Sequence, residues 1–190
     1  MQHNIPFTTN FKAFKHFSIS LGGNLTEVWV FKTKKYNNFN ETDGVLIEDV
    51  KGFDRFMQYN YSASIGTTIY GTLNFKPEKK IQSIRHTIKP NISYSNSPSF
   101  EQYYDTYIID AEGNTAEYTR FENGLYGVPR KSFGSSISLS IENTFEAKVK
   151  SKDSTKTELE KIKLLDNLNI STSYSVSAPE FNLSPIRLRT

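Results

Sequence analysis

Between Phe53 and Phe75 the chain alternates apolar and polar residues for longer than an ordinary globular strand runs. One side carries Phe53, Met57, Tyr59, Tyr61, Ala63, Ile65, Ile69, Leu73 and Phe75, broken by Arg55, Thr67 and Gly71. The other carries Asp54, Gln58, Asn60, Ser62, Ser64, Gly66, Thr68, Thr72 and Asn74, and only Phe56 and Tyr70 sit on the wrong side. A period of two places alternate side chains on opposite faces of a strand. Globular strands usually stop at about five or six residues and seldom pass about ten, so this run is too long for a sandwich.

The polar side narrows the choice further. From Gln58 to Asn74 neither side is charged, and the polar one is built of small Ser, Thr, Asn and Gly. A soluble sheet shows water many Lys and Glu, whereas an outer-membrane barrel strand is apolar toward lipid and polar toward an aqueous interior. Crossing the hydrocarbon takes only about 9 to 11 residues of tilted strand, so the surplus implies tall walls above the membrane.

Four further runs repeat the pattern: about His16 to Lys34, about Ile84 to Ser95 with Pro90 inside it, Gly134 to Lys150, and about Leu164 to Ser177. Pro90 lacks an N–H and marks weakened pairing or a bulge. The sequence thus predicts an all-β fold, an antiparallel up-and-down meander forming part of a large transmembrane outer-membrane β-barrel. Residues 1–190 make one partial barrel domain, with long outer loops at about 35–52 and 96–133 and periplasmic turns at about 76–83 and 151–163. On that orientation Met1 to Lys15 is a periplasmic turn. The predicted lipid-facing residues are Leu21, Ile65, Ile69, Leu73, Ile88, Ile92, Leu139, Ile141 and Ile170. Within 96–133, Thr106 to Ile109 and Thr115 to Tyr118 flank Asp110-Ala111-Glu112-Gly113-Asn114, a hairpin turn signal. The 151–163 segment carries Leu159, Ile162 and Leu165 at a spacing that also permits a short helix.

Composition excludes several classes. The formal net charge is +3 over 190 residues, with cations spread among acidic residues, which gives no basis for nucleic-acid binding. There is no Cys, hence neither a disulfide framework nor a thiolate metal site. His3, His16 and His86 make no metal-spaced pair, and no nucleophile elbow, Walker loop or dinucleotide fingerprint occurs. The sequence offers no catalytic residue, metal or cofactor, and the expected class is not an enzyme. Asn-x-Ser/Thr triplets at Asn24, Asn60, Asn91 and Asn169 follow from the alternation itself. The N-terminus lacks the basic start and apolar stretch of an export signal, so an exported barrel would need a longer precursor, and Pro185 to Thr190 resembles a strand cut short.

Cations on the polar side are the candidate contacts for an anionic ligand. Arg85 and Lys89 share that side of the third run, and Lys148 and Lys150 share it in the fourth. They suit phosphate or carboxylate; the alternatives are pairing with Glu142 and Glu146 or a place in a wet periplasmic rim.

Particular segments resemble a known family. Ile81-Gln82-Ser83-Ile84-Arg85-His86-Thr87-Ile88-Lys89-Pro90-Asn91-Ile92-Ser93-Tyr94, preceded by Ile69-Tyr70-Gly71, is similar to a divergent branch of the lipopolysaccharide-assembly protein LptD. So are His3-Asn4-Ile5-Pro6-Phe7 with Phe11-Lys12 and Lys15, Val149-Lys150-Ser151-Lys152, and Lys163-Leu164-Leu165-Asp166-Asn167-Leu168. The resemblance implies an internal section of the barrel of an outer-membrane translocon that places lipopolysaccharide in the outer leaflet. It further implies a periplasmic jelly-roll that receives the lipid, a barrel opening sideways, a plug lipoprotein and periplasmic bridge proteins, with lipopolysaccharide and membrane lipid as partners. Without those motifs, the alternation also fits a porin or receptor barrel, or a soluble elongated β-protein.

Overall fold

Period-two alternation rich in aromatic and β-branched residues builds every principal element of the protein. The computed structural model describes residues 1–151 and 159–190. The strands are β1 (Gln2–Ala13), β2 (Phe17–Tyr36), β3 (Ile47–Gly66), β4 (Ile69–Asn74), β5 (Ile81–Ser97), β6 (Tyr104–Ile108), β7 (Thr115–Thr119), β8 (Gly134–Lys150), β9 (Leu159–Ser175) and β10 (Arg187–Arg189). The main sheet runs β1-β2-β3-β5-β8-β9-β10 with β4 also paired to β5, while β6 and β7 form a separate hairpin. The architecture is an all-β antiparallel meander, and among the described residues the sheet is not closed. Strands β2 and β3 have 20 residues each. At about 3.3 Å per residue that is about 65 Å, well beyond the roughly 30 Å hydrocarbon layer.

Several boundaries differ from the sequence expectation, each for a local reason. Residues 1–15 are not a turn: Gln2–Ala13 is a strand in which His3, Ile5, Phe7 and Phe11 alternate with Asn4, Thr8, Asn10 and Lys12. Only the tight connection to β2 remains, with Phe14 and Lys15 at φ 49 and 66. The Phe53 to Phe75 run is divided between β3 and β4 at Thr67–Thr68. Pro90 supplies the cause: its carbonyl accepts the Thr67 N–H at 3.2 Å, but with no N–H of its own it cannot return the bond. Strand β3 begins at Ile47 rather than beyond residue 52, passing through Gly52 at φ 152, a backbone angle open to glycine. Strand β9 begins at Leu159, so the part of the suggested helix within 159–163 is strand. Residues 152–158 lie outside the described residues. The Asp110 turn forms as expected between β6 and β7.

Two compact units divide the chain. The first comprises Met1–Thr8, Gly22–Tyr61 and Asn96–Ser135. Its core is Val28, Phe56 and Phe121, joined by Val30 and Tyr103. Phe56 and Val28 are on the polar side of their strands, and they are buried because the 98–133 segment folds over them. Asp54 and Arg120 form a 2.6 Å ion pair beside that core, and the Met57 N–H donates to the Tyr103 hydroxyl at 3.0 Å. On the apolar side of this unit His3, Trp29, Phe53 and Phe31 form a chain of ring contacts. There Arg55, the charge that interrupts the alternation, is paired to Glu27 at 2.8 Å.

The second unit comprises Thr9–Leu21, Ser62–Ser95 and Ser136–Thr190. Register pairs Ile69 with Ile88 and Leu73 with Ile84 across β4 and β5, and Ile141 with Ile170 across β8 and β9. Ile69 is 51% and Leu73 61% exposed, because nothing described here packs over the apolar side at these positions. A register shift between Asn143 and Glu146 accompanies His86 stacking on Phe145 at 4.0 Å, with the His86 Nε2 3.0 Å from Asn143 Oδ1.

Candidate functional site

On the polar side of the second unit, cations gather around two of the concavities among the described residues. In the first, of about 500 Å³, Lys12, Lys15 and His16 arrive on the β1–β2 connection, and Lys89 and Glu142 arrive on β5 and β8. Thr67 Oγ1 donates to the His16 carbonyl at 2.8 Å and fixes that connection. Lys89 Nζ lies 3.5 Å from Glu142 Oε1, with both side chains about half exposed. So long and wet an ion pair contributes little, which leaves the Lys89 ammonium free to exchange partners.

The second concavity, of about 450 Å³, contains Arg85, Lys148, Lys161 and Glu146, with Tyr70 and the polar groups of Thr72, Asn74 and Ser83. Alternation explains the convergence. Thr72 and Asn74 stand opposite Arg85 and Ser83 in the β4–β5 ladder, and Lys148 stands opposite Lys161 in the β8–β9 ladder. Arg85 lies over the Tyr70 ring at 4.3 Å from its centroid. Tyr70, off-pattern in the sequence, thus gives the guanidinium an aromatic face, a cation–π contact.

Of the sequence-derived cations, Arg85 and Lys148 are brought together, whereas Lys89 belongs to the other concavity. Lys150 lines neither; its backbone N–H donates to the Lys80 carbonyl at 3.0 Å. Lys12, Lys15 and Lys161 escaped the sequence reading because they fall in stretches expected to be turns. Extending the alternation of β1 and β9 into those stretches is the signal that finds Lys12 and Lys161, whereas Lys15 lies in the β1–β2 connection and carries no such signal.

In the first unit the polar side is covered rather than open. The Arg130 N–H donates to Gln58 Oε1 at 3.2 Å, the Phe100 N–H to the Arg130 carbonyl at 2.9 Å and the Lys34 N–H to the Arg120 carbonyl at 2.9 Å. Lys131 pairs with Glu117, whose carboxylate raises the lysine above its ordinary range. Tyr104, which donates to the Pro129 carbonyl at 2.6 Å, is pushed up chiefly by burial and then by Glu117. The 98–133 segment is thereby held on the wall by backbone as well as side-chain bonds.

Long antiparallel strands that, in the second unit, expose Ile65, Ile69 and Leu73 on one side and gather cations on the other are what a membrane barrel presents. The family model described as LptD protein matches residues 1–190, the whole chain. The chain belongs to the LptD family. Membership places it in lipopolysaccharide transport at the outer membrane, among transport components. No curated protein and no solved structure matches the chain.

Proposed function

We propose that this chain forms a section of the barrel wall of an outer-membrane translocon that inserts lipopolysaccharide into the outer leaflet. The observation that carries the proposal is the bare apolar side. Ile65, Ile69, Leu73, Ile92 and Leu139 are exposed, an arrangement costly in water and favourable against acyl chains. Leu21, Ile88, Ile141 and Ile170 belong to the same lipid-facing set. The His3, Trp29, Phe53 and Phe31 rings beside the Glu27–Arg55 pair suit an interfacial level, where aromatic and charged groups meet headgroups.

The polar side then serves the other half of an amphipathic lipid. Moving sugars and phosphates through hydrocarbon without hydrogen-bond partners is prohibitive, and a hydroxyl-, amide- and cation-bearing wall supplies those partners. Arg85, Lys89, Lys148 and Lys150 are the anion contacts in this reading. The β2–β3 connection and the 98–133 segment face outward, and the β4–β5 and β8–β9 connections face the periplasm. Further strands close the sheet, and a plug lipoprotein and periplasmic bridge proteins complete the machine.

Depletion of the protein tests this function: surface lipopolysaccharide should fall while small-solute uptake is preserved. Reduced uptake with unchanged surface lipopolysaccharide would instead identify a porin. A purified product that needs no detergent and shows no heat-modifiable migration would rule out the barrel.

A further inference from the structure

Lys148 and Lys161 stand directly opposite one another in the β8–β9 ladder. Directly opposed residues have Cβ atoms about 4.5–5.5 Å apart, and like charges so placed destabilise a sheet. Nothing described here relieves the repulsion: among the described residues neither lysine has an ion-pair partner, nor does Arg85, which lines the same concavity. Glu146 lines it too, opposite Lys163, whose ammonium pairs with Asp166 at 2.6 Å, so this one carboxylate faces three cations. Three cations thus converge on one space with a single carboxylate, and the volume of about 450 Å³ lies within the range of about 300–1,000 Å³ of ligand clefts. A local cost that the described residues leave standing points to a ligand that removes it.

We propose that Arg85, Lys148 and Lys161 bind a phosphate group on the saccharide end of an amphipathic lipid, with Thr72, Asn74 and Ser83 meeting the adjoining sugar hydroxyls. The chemistry of the lining selects this class. Two ammonium groups and a guanidinium neutralise a dianionic phosphate and donate to its oxygens, while the neutral rim offers donors and acceptors suited to hydroxyls. The site lies on the polar side, so lipid tails have no place in it. This assignment rests on the transport reading, since a phosphorylated glycolipid reaches this wall only if the barrel carries one.

The test uses the full protein in detergent micelles. Dissociation constants are measured for lipopolysaccharide, for the same lipopolysaccharide after enzymatic dephosphorylation, and for inorganic pyrophosphate. Charge-assisted hydrogen bonds of this kind give about a tenfold change in affinity per contact. Dephosphorylation should therefore weaken binding at least about tenfold. Lys148→Gln with Lys161→Gln should weaken phosphorylated lipopolysaccharide comparably and leave the dephosphorylated form unchanged, while Lys161→Arg retains binding. Unfolding of the ligand-free protein supplies a second readout. Lys161→Gln removes a like-charge contact, so its unfolding temperature should equal or exceed that of the wild type. A double variant that binds phosphorylated lipopolysaccharide like the wild type would overturn the site, as would equal weakening of both lipid forms or a lowered unfolding temperature for Lys161→Gln. Absence of any lipopolysaccharide binding, with pyrophosphate bound in a Lys148- and Lys161-dependent manner, would uphold a phosphate site and overturn the transport reading.

Discussion

Replacing Phe56 by alanine removes a ring that is 1% exposed and packed edge-on against Phe121 at 4.8 Å and Tyr103 at 6.1 Å. Truncating a buried Phe costs about 3–5 kcal/mol, and here the loss falls on the contact that seats the 98–133 segment. Phe56→Ala should therefore raise protease cleavage within 98–133, and Phe121→Ala should do the same. Combined, the two should cost clearly less than their sum, because they remove one shared contact; strict additivity would contradict a common core. Gly23 makes the opposite point. A Cβ there would run into the Phe7 ring and lie 2.6 Å from the Asn60 carbonyl oxygen. A side-chain ring can turn aside but a ladder carbonyl cannot, so Gly23→Ala should destabilise by about 1–3 kcal/mol, the usual cost of overpacking. Adding Phe7→Ala should restore only part of that stability, measured by thermal unfolding in detergent.

At the scale of elements, legibility depended on whether a strand's ends carried the same pattern as its middle. Strand β8 was found with its observed bounds, Gly134 to Lys150, since its Ser and Ile alternation runs to both ends. Strand β1 was missed because its apolar residues are interrupted by Pro6 and Thr9, and β9 was started late because Lys161 and Lys163 resemble a charged turn. The candidate site suffered from the same errors: Arg85 and Lys148 stand in clear alternation, whereas Lys161, their third partner, stands in the misassigned stretch. The off-pattern residues Phe56 and Tyr70 could be noticed but not explained from sequence, since their partners lie far away in the chain. The β6–β7 hairpin, by contrast, is set locally. Asp110 accepts the Asn114 side-chain amide at 2.6 Å and the Asn114 backbone N–H at 2.9 Å. These bonds, the side-chain one foremost, outweigh the cost of desolvation and hold the carboxylate below its ordinary 3.8. A lowered folded-state value means the contribution is complete above pH 3.8 and disappears as pH falls through the folded value. Amide exchange at Asn114 should therefore accelerate only below about pH 3.8 beyond its intrinsic pH dependence. Asp110→Asn should abolish that acid transition.

For the whole molecule, the question is which side of the sheet meets lipid. Ile65 and Ser62 both lie in the part of β3 assigned to the second unit, and opposite parity puts them on opposite sides. If Ile65 faces acyl chains, an arginine there must bring its charge into hydrocarbon, at a cost of about 2–4 kcal/mol near mid-membrane. An arginine at Ser62 would meet water and the Ser and Asn groups of the polar side, and should cost well under half as much. The comparison is informative because the strand and the incoming residue are shared, which cancels most of the backbone and side-chain entropy terms. Ile65→Arg should lower the temperature at which the protein loses heat-modifiable migration, and Ser62→Arg should leave it nearly unchanged. Equal losses would place both residues in similar surroundings, which no two-sided wall between lipid and water permits. A larger loss at Ser62 would reverse the faces, turning the cationic concavities toward lipid and removing the hydrophilic route on which transport by this wall depends.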